Sequence, residues 1–175
     1  ILTDGEPHYR ARSFEAVLES SEGTRLEREE RINAMINQLD GWRFNIILPD
    51  DDSRYLTGRV RVKKGYNDLA HCSVQVTATC EPWRYNVVET IVTLDASTTE
   101  KVAVLKNDGR KSVIPVIDIS EEALIKFSSD QEDFNSGSKS EGQYIFPDLY
   151  LRTGTHQVHY SGKGQIKFTY REAVL

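Results

Sequence analysis

Hydrophobic positions recur with a helical period in one stretch of the chain, between residues 25 and 39. Thr24 and Glu27 precede this stretch with the spacing of a capping box, and Gly41 suits the position just past a helix end. The apolar positions, spaced i, i+3, i+4 and i+7, are Ile32, Met35, Ile36 and Leu39. The pattern predicts a helix over 25–39 with one apolar stripe facing a core.

Elsewhere the apolar period is two, which is typical of strands with one buried face. In Arg59-Val60-Arg61-Val62-Lys63 the valines alternate with cations, and Val74 to Cys80 alternates in the same way. We expect the second of these strands to break near Pro82, because proline cannot donate to a ladder. Short strands follow to the end of the chain, with turns predicted at Ser128-Ser129-Asp130 and Asn135-Ser136-Gly137-Ser138.

These patterns predict a mainly β protein with one helix and antiparallel sheets. The first predicted domain, residues 1–88, combines the helix with antiparallel strands. The second, residues 89–175, is a β-sandwich whose last strand covers 164–172, since short strands at regular intervals with turn residues between them favour that architecture.

Composition narrows the function classes. Of the 175 residues, 38% are hydrophobic and 28% charged, and the net charge is −5, which suits a globular protein and disfavours a general nucleic-acid surface. No apolar run reaches the roughly 20 residues that span a bilayer, so we expect no membrane insertion. Cys72 and Cys80 would lie roughly 26 Å apart along one strand, which favours two reduced thiols and folding in the cytosol.

Groups that could carry chemistry are few. Asp50, Asp51 and Asp52 form an acidic cluster without the spacing of a calcium loop, so a solvated turn is the simpler interpretation. His156 and His159 are three apart, which puts their rings on opposite faces of a strand. The nucleophile-elbow, P-loop and dinucleotide motifs are missing from the sequence. We therefore predict no enzyme, no cofactor and no metal.

Two sets of residues are candidates for a protein interface. Arg59, Arg61 and Lys63 form a cationic row that could meet an acidic neighbour, or could be a solvated face that guards an edge. Trp83 and Tyr150 could anchor an interface, although aromatic residues in strands more often pack in the core.

The order of several short motifs resembles the distal tail (baseplate hub) protein family of long-tailed bacteriophages and prophages. The resemblance covers nearly the whole chain. It begins with the helix, Gly41 and the strand Tyr55-Leu56-Thr57-Gly58-Arg59. It continues through Cys80-Glu81-Pro82-Trp83, Asn107-Asp108-Gly109 followed by Pro115, Pro147-Asp148-Leu149-Tyr150-Leu151-Arg152-Thr153-Gly154, and Gly164 to Leu175.

The resemblance implies a ring-forming, β-sandwich-like first domain with the helix and a galectin-like second domain, in a non-enzymatic virion structural protein. It implies a hexameric ring at the distal end of the tail tube, in contact with the tail tube protein and with tail-tip, fibre or receptor-binding proteins. Nucleic acid would only pass through the lumen, and the chain would fold in the bacterial cytoplasm before joining the virion tail.

The sequence has no initiator Met and lacks the opening strands that the family has before the Tyr9–Ser13 region, so we interpret it as a fragment or a processed form. The alternative function is a carbohydrate-binding β-sandwich module that uses Trp83 or Tyr150.

Overall fold

The computed structural model describes residues 9–128 and 133–175. Contacts divide the chain into two compact units, Ile1–Arg84 and Tyr85–Leu175. The first unit contains the helix α1 (Arg25–Leu39). It also contains the strands β1 (Arg12–Ser20), β2 (Arg43–Leu48), β3 (Asp51–Asn67) and β4 (Cys72–Asn86) up to Arg84. The second unit contains β5 (Thr90–Asp95), β6 (Lys101–Asn107), β7 (Val116–Ile119), β8 (Ala123–Ser128), β9 (Asp133–Lys139), β10 (Gly142–Ile145), β11 (Gly154–Gly162), β12 (Gln165–Tyr170) and β13 (Ala173–Val174).

The first unit is one sheet covered on one face by the helix. Its strands lie in the order β1-β4-β3-β2, and the β1–β4 and β2–β3 ladders are antiparallel. The capping box is present, with the Thr24 hydroxyl accepting from the Glu27 N–H and the Glu27 carboxylate accepting from the Thr24 N–H at 2.6 Å. The helix stripe buries Ile32 against Leu56, Val60 and the apolar face of β4. Burial of this stripe is the main reason the helix is stable, since short isolated helices are marginal in water.

The second unit consists of two four-stranded sheets, in the orders β10-β7-β12-β5 and β6-β11-β8-β9. The core draws on both sheets: Ile117 and Phe168 come from the first, and Ile125 and Val158 from the second, all with 0% exposure. Two sheets that share one apolar core make a sandwich. The predicted fold class, mainly β with one helix and antiparallel sheets, is confirmed.

Two local predictions are wrong. β4 does not break near Pro82 but continues to Asn86. The β1–β4 ladder ends at Arg12 and Cys80, so no β1 residue opposes Pro82, where a missing N–H leaves no gap in that ladder.

The predicted turn at Asn135–Ser138 lies inside β9, where the β8–β9 register shifts and Gly137 has φ +63°. A bulge and a turn use the same residue types, which explains the error. In the other predicted turn, Ser128 ends β8, and Ser129 and Asp130 lie outside the described residues, as does the chain start before Tyr9.

Both cysteines are free and buried in β4. Burial raises the pKa of the Cys80 thiol, which keeps it in the unreactive thiol form. In the described part of the chain, α1 is too short and too polar to cross a membrane.

Candidate assembly surface

The face of the first sheet opposite the helix lies open. In β3, Leu56, Val60 and Val62 point into the core, so Arg59, Arg61 and Lys63 project from the other face and are exposed. Strand alternation therefore brings the predicted cationic row together as one line of side chains. Successive members are roughly 7 Å apart, close enough for like charges to repel across a partly screened surface.

The row is mostly unpaired in the described structure. The Arg59 guanidinium donates to the Gly41 carbonyl at 2.9 Å, whereas Arg61 and Lys63 have no ion pair or hydrogen bond with any described residue. The register places Arg43 of β2 beside Arg59, and Arg43 pairs with Glu81 of β4 at 2.5 Å. The β3 side of the open face thus carries an excess of positive charge.

The opposite edge of the same face is acidic. Glu15 and Glu19 of the edge strand β1 lie opposite Thr77 and Ser73 of β4, on the side away from the core. Both are exposed, and their carboxylates accept from Gln75 at 2.7 Å and from the Tyr66 hydroxyl at 2.9 Å, while no cation within residues 9–128 and 133–175 forms an ion pair with either.

Sequence reasoning missed these two residues. The alternation Glu15-Ala16-Val17-Leu18-Glu19 contained the signal, but their position opposite the cations depends on the non-sequential strand order.

The open face is therefore electrically polarised. β1 and β3 are separated by β4, so the acidic and basic rows lie roughly 10 Å apart, about one Debye length at physiological salt. The rows are too far apart to form direct ion pairs within one copy. Each remains available to a charge of opposite sign on another molecule.

The two candidate aromatic residues are not part of the row. Trp83 is half-buried and packs edge-to-face on Tyr9, with ring centroids 4.9 Å apart. Tyr150 is half-buried in the second unit, where the Arg152 guanidinium lies 5.5 Å from its ring centroid. Each ring has a packing partner within its own unit, and a role of either residue in an interface or in sugar binding stays a prediction.

Asp51 of the acidic cluster and both histidines make ordinary hydrogen bonds and ion pairs. The Ser53 hydroxyl, with help from Arg54, lowers the pKa of the Asp51 carboxyl, and Arg84 lies 3.6 Å from the same group. His159 lies 3.2 Å from Glu100, whereas His156 contacts the Arg152 carbonyl. Across residues 9–128 and 133–175, no three His, Cys, Asp or Glu side chains converge as metal ligands.

Comparison with known proteins gives a likeness at the level of structure. No protein-family profile matches the sequence, and no curated protein matches it. The fold is similar to the crystal structure of the SPP1 Dit (gp 19.1) protein, described as a paradigm of the hub adsorption apparatus in phages that infect Gram-positive bacteria. The TM-score is 0.65 at 19% identity, over 94% of this chain and 79% of the SPP1 protein. The predicted resemblance to distal tail proteins is thus confirmed as a likeness of fold.

Proposed function

We propose that this chain is a structural hub protein of a phage tail, which assembles as a hexameric ring at the distal end of the tail tube. The ring would continue the tube lumen and would present docking faces to tail-tip, fibre or receptor-binding proteins. The proposal rests on the likeness of fold to SPP1 Dit over nearly the whole chain. It includes a second domain that is galectin-like in shape, and it requires no catalytic centre.

The polarised open face supports a head-to-tail contact. Ring closure needs a heterologous interface, in which one surface of a copy meets a different surface of the next. The acidic row with Glu15 and Glu19 lies at the β1 edge of the sheet, and the basic row with Arg59, Arg61 and Lys63 lies towards the β2 edge. An edge-to-edge contact between successive copies would therefore bring opposite charges together. Opposed charges would steer association and fix its register, while the buried area of an obligate ring contact, roughly 2,000 Å² or more, would supply most of the affinity.

Virion assembly would follow folding in the host cytoplasm. The two buried thiols are compatible with that reducing compartment. In the assembled tail, nucleic acid would pass through the lumen without a specific binding site.

Charge reversal tests the ring contact. We expect native mass spectrometry of the full chain to show a hexamer, and Arg61→Glu to weaken assembly by about tenfold per lost charge pair. Lys163→Glu makes the same change of charge on an exposed turn of the second unit and is the matched control. A second reversal, Glu15→Lys, should restore part of the assembly lost in Arg61→Glu. A chain that stays monomeric at high concentration, or an Arg61→Glu hexamer as stable as the Lys163→Glu hexamer, would contradict the proposal.

A further inference from the structure

The strand β5 differs from the other sheet edges of the second unit. Edge strands are usually guarded against pairing with other chains by lysine, proline, glycine or a bulge. β9 contains the Gly137 bulge, β10 has four residues and begins with Gly142, and β6 carries Lys101 and Lys106. β5, in contrast, has the sequence TIVTLD and a regular ladder to β12 without a register shift. It therefore has no lysine, proline, glycine or bulge of its own, and the charges at this edge are Asp95 at its end and the Lys101 ammonium on the Asp95 carbonyl.

The free side of β5 offers backbone hydrogen-bonding groups. The Ala96 N–H donates to the Gly164 carbonyl at 2.9 Å, and both backbone groups of Gln165 bond Ser120 on the far side of β12. In an antiparallel strand, successive residues direct their backbone groups alternately to the two sides. Because Ala96 bonds the β12 side, the backbone N–H and C=O of Ile91 and Thr93 point away from β12, towards the free edge. Apart from Lys101, which donates to the Asp95 carbonyl, no described residue bonds this edge.

The side chains along β5 would also gain from a neighbouring strand. Val92 and Leu94 pack against the core but are only half-buried. On the outer face, Ile91 is 57% exposed and Ile145 is 61% exposed, at the two ends of a transverse row. The register builds this row from Ile91, Thr169, Val116 and Ile145. An added strand would extend this row and cover the margin of the core.

We propose that β5 accepts an extended segment of a different polypeptide as an additional strand. The segment would carry apolar residues at two alternate positions, beside Val92 and Leu94, and one apolar residue on the other face, beside Ile91. Opposite Asp95 it would carry Lys or Arg. Main-chain bonds to Ile91 and Thr93 would supply affinity, and the side-chain pattern would supply specificity.

Charge disfavours a second copy of this chain as the occupant. In a two-fold symmetric dimer with antiparallel β5 edges, the outward-directed residues of the two copies lie opposite one another. If Thr93 faces Thr93, each Ile91 lies against an Asp95 carboxylate. If Ile91 faces Thr93, each Asp95 lies opposite Glu89, whose carboxylate already pairs with Arg171 at 2.9 Å, so this register gives Asp95 no cation of its own. A foreign segment with a cation avoids both conflicts.

Selection from a library of linear peptides of about ten residues, longer than a typical strand, tests the inference on the intact chain. We expect the selected peptides to share the alternate apolar pattern with one Lys or Arg. Thr93→Pro removes an outward N–H, which an edge strand tolerates, and should weaken binding at least about tenfold in fluorescence anisotropy. Thr93→Ala keeps the N–H and should bind within about twofold of the original chain.

Asp95→Lys gives a second readout that does not depend on how Thr93→Pro folds. It should weaken the cationic peptides and favour variants in which the Lys or Arg is replaced by Glu. The inference fails if no peptide is selected, or if binding ignores both changes. It also fails if β5 mediates self-association that Thr93→Pro abolishes. The hexamer should survive these changes at β5, so failure here is distinguishable from failure of the ring proposal.

Discussion

A buried arginine holds the tip of the β3–β4 hairpin in the first unit. Arg28 of α1 is 2% exposed and has no carboxylate partner among the described residues. Its guanidinium donates instead to the carbonyls of Gly23, Asp68 and Leu69, at 2.6, 2.9 and 3.0 Å. The guanidinium fork thus ties the start of the helix to a turn that lies far away in sequence. A sequence pattern could not show this, because Arg28 looks like one of several surface charges on a polar helix.

We expect Arg28→Met to lower the free energy of unfolding by about 2–4 kcal/mol, since the buried guanidinium and its three charge-assisted bonds to carbonyls are lost. Trp42 and Trp83 both belong to the first unit, so urea unfolding followed by tryptophan fluorescence reports on this loss. Arg31→Met is the matched control on the same helix. Its side chain is 51% exposed, and its removal should change stability by less than about 0.5 kcal/mol. Equal effects of the two substitutions would rule out the role of Arg28.

Asp68 in the same turn makes the first unit sensitive to acid. The backbone N–H of His71 and that of Ala70 donate to its carboxylate and lower the pKa of Asp68. A lowered pKa in the folded state stabilises the fold above the unfolded value, near 3.9, and this contribution is lost as the pH falls through the folded pKa. Asp68→Asn should therefore reduce the difference in urea midpoint between about pH 6 and pH 3. An unchanged difference would show that other carboxylates control the acid response.

At the level of elements, the sequence predicted those whose signals are local. The Thr24–Glu27 capping box and the stripe through Ile32 marked the helix correctly. The strand break predicted near Pro82 was wrong because the effect of a proline depends on whether a neighbouring strand lies opposite it, which the sheet register decides. The Asn135–Ser138 segment misled because glycine with positive φ serves bulges and turns alike. Both errors have the same cause, because a sequence pattern does not show which strand pairs with which residue of another strand.

The β9 bulge gives a test at this scale. Gly137 has φ +63°, and a Cβ there would meet no atom within 4 Å, so only backbone strain opposes a side chain. We expect Gly137→Ala to destabilise the protein by about 1 kcal/mol, and Gly137→Asn by less, because asparagine tolerates the left-handed region better. Chemical unfolding followed by circular dichroism measures both. An alanine variant as stable as the original would mean that the bulge relaxes.

For the whole molecule, the two cores are separate in composition. The core of the first unit draws its buried residues from Ile32 to Cys80, and that of the second from Leu105 to Tyr170. The sequence predicted two domains with a boundary after residue 88, in the region where the apolar stretch from Val87 to Leu94 gives way to the polar residues 95–99. That boundary remains a prediction, and contacts divide the chain four residues earlier, between Arg84 and Tyr85.

The four residues between the two boundaries provide the test. The Asn86 N–H donates to the Glu172 carbonyl at 3.0 Å, the Lys111 ammonium donates to the Tyr85 hydroxyl, and Arg171 donates to the Asn86 and Val87 carbonyls. These bonds join residues 85–87 to the rest of the second unit. We therefore expect the isolated segment 85–175 to fold with a cooperative thermal transition. Segment 89–175 should melt about 5–10 °C lower, because losing several such bonds costs roughly 1–2 kcal/mol in a domain of about 90 residues. Equal melting temperatures would place the functional boundary at residue 88, and an unfolded 85–175 segment would mean that the second core depends on the first unit.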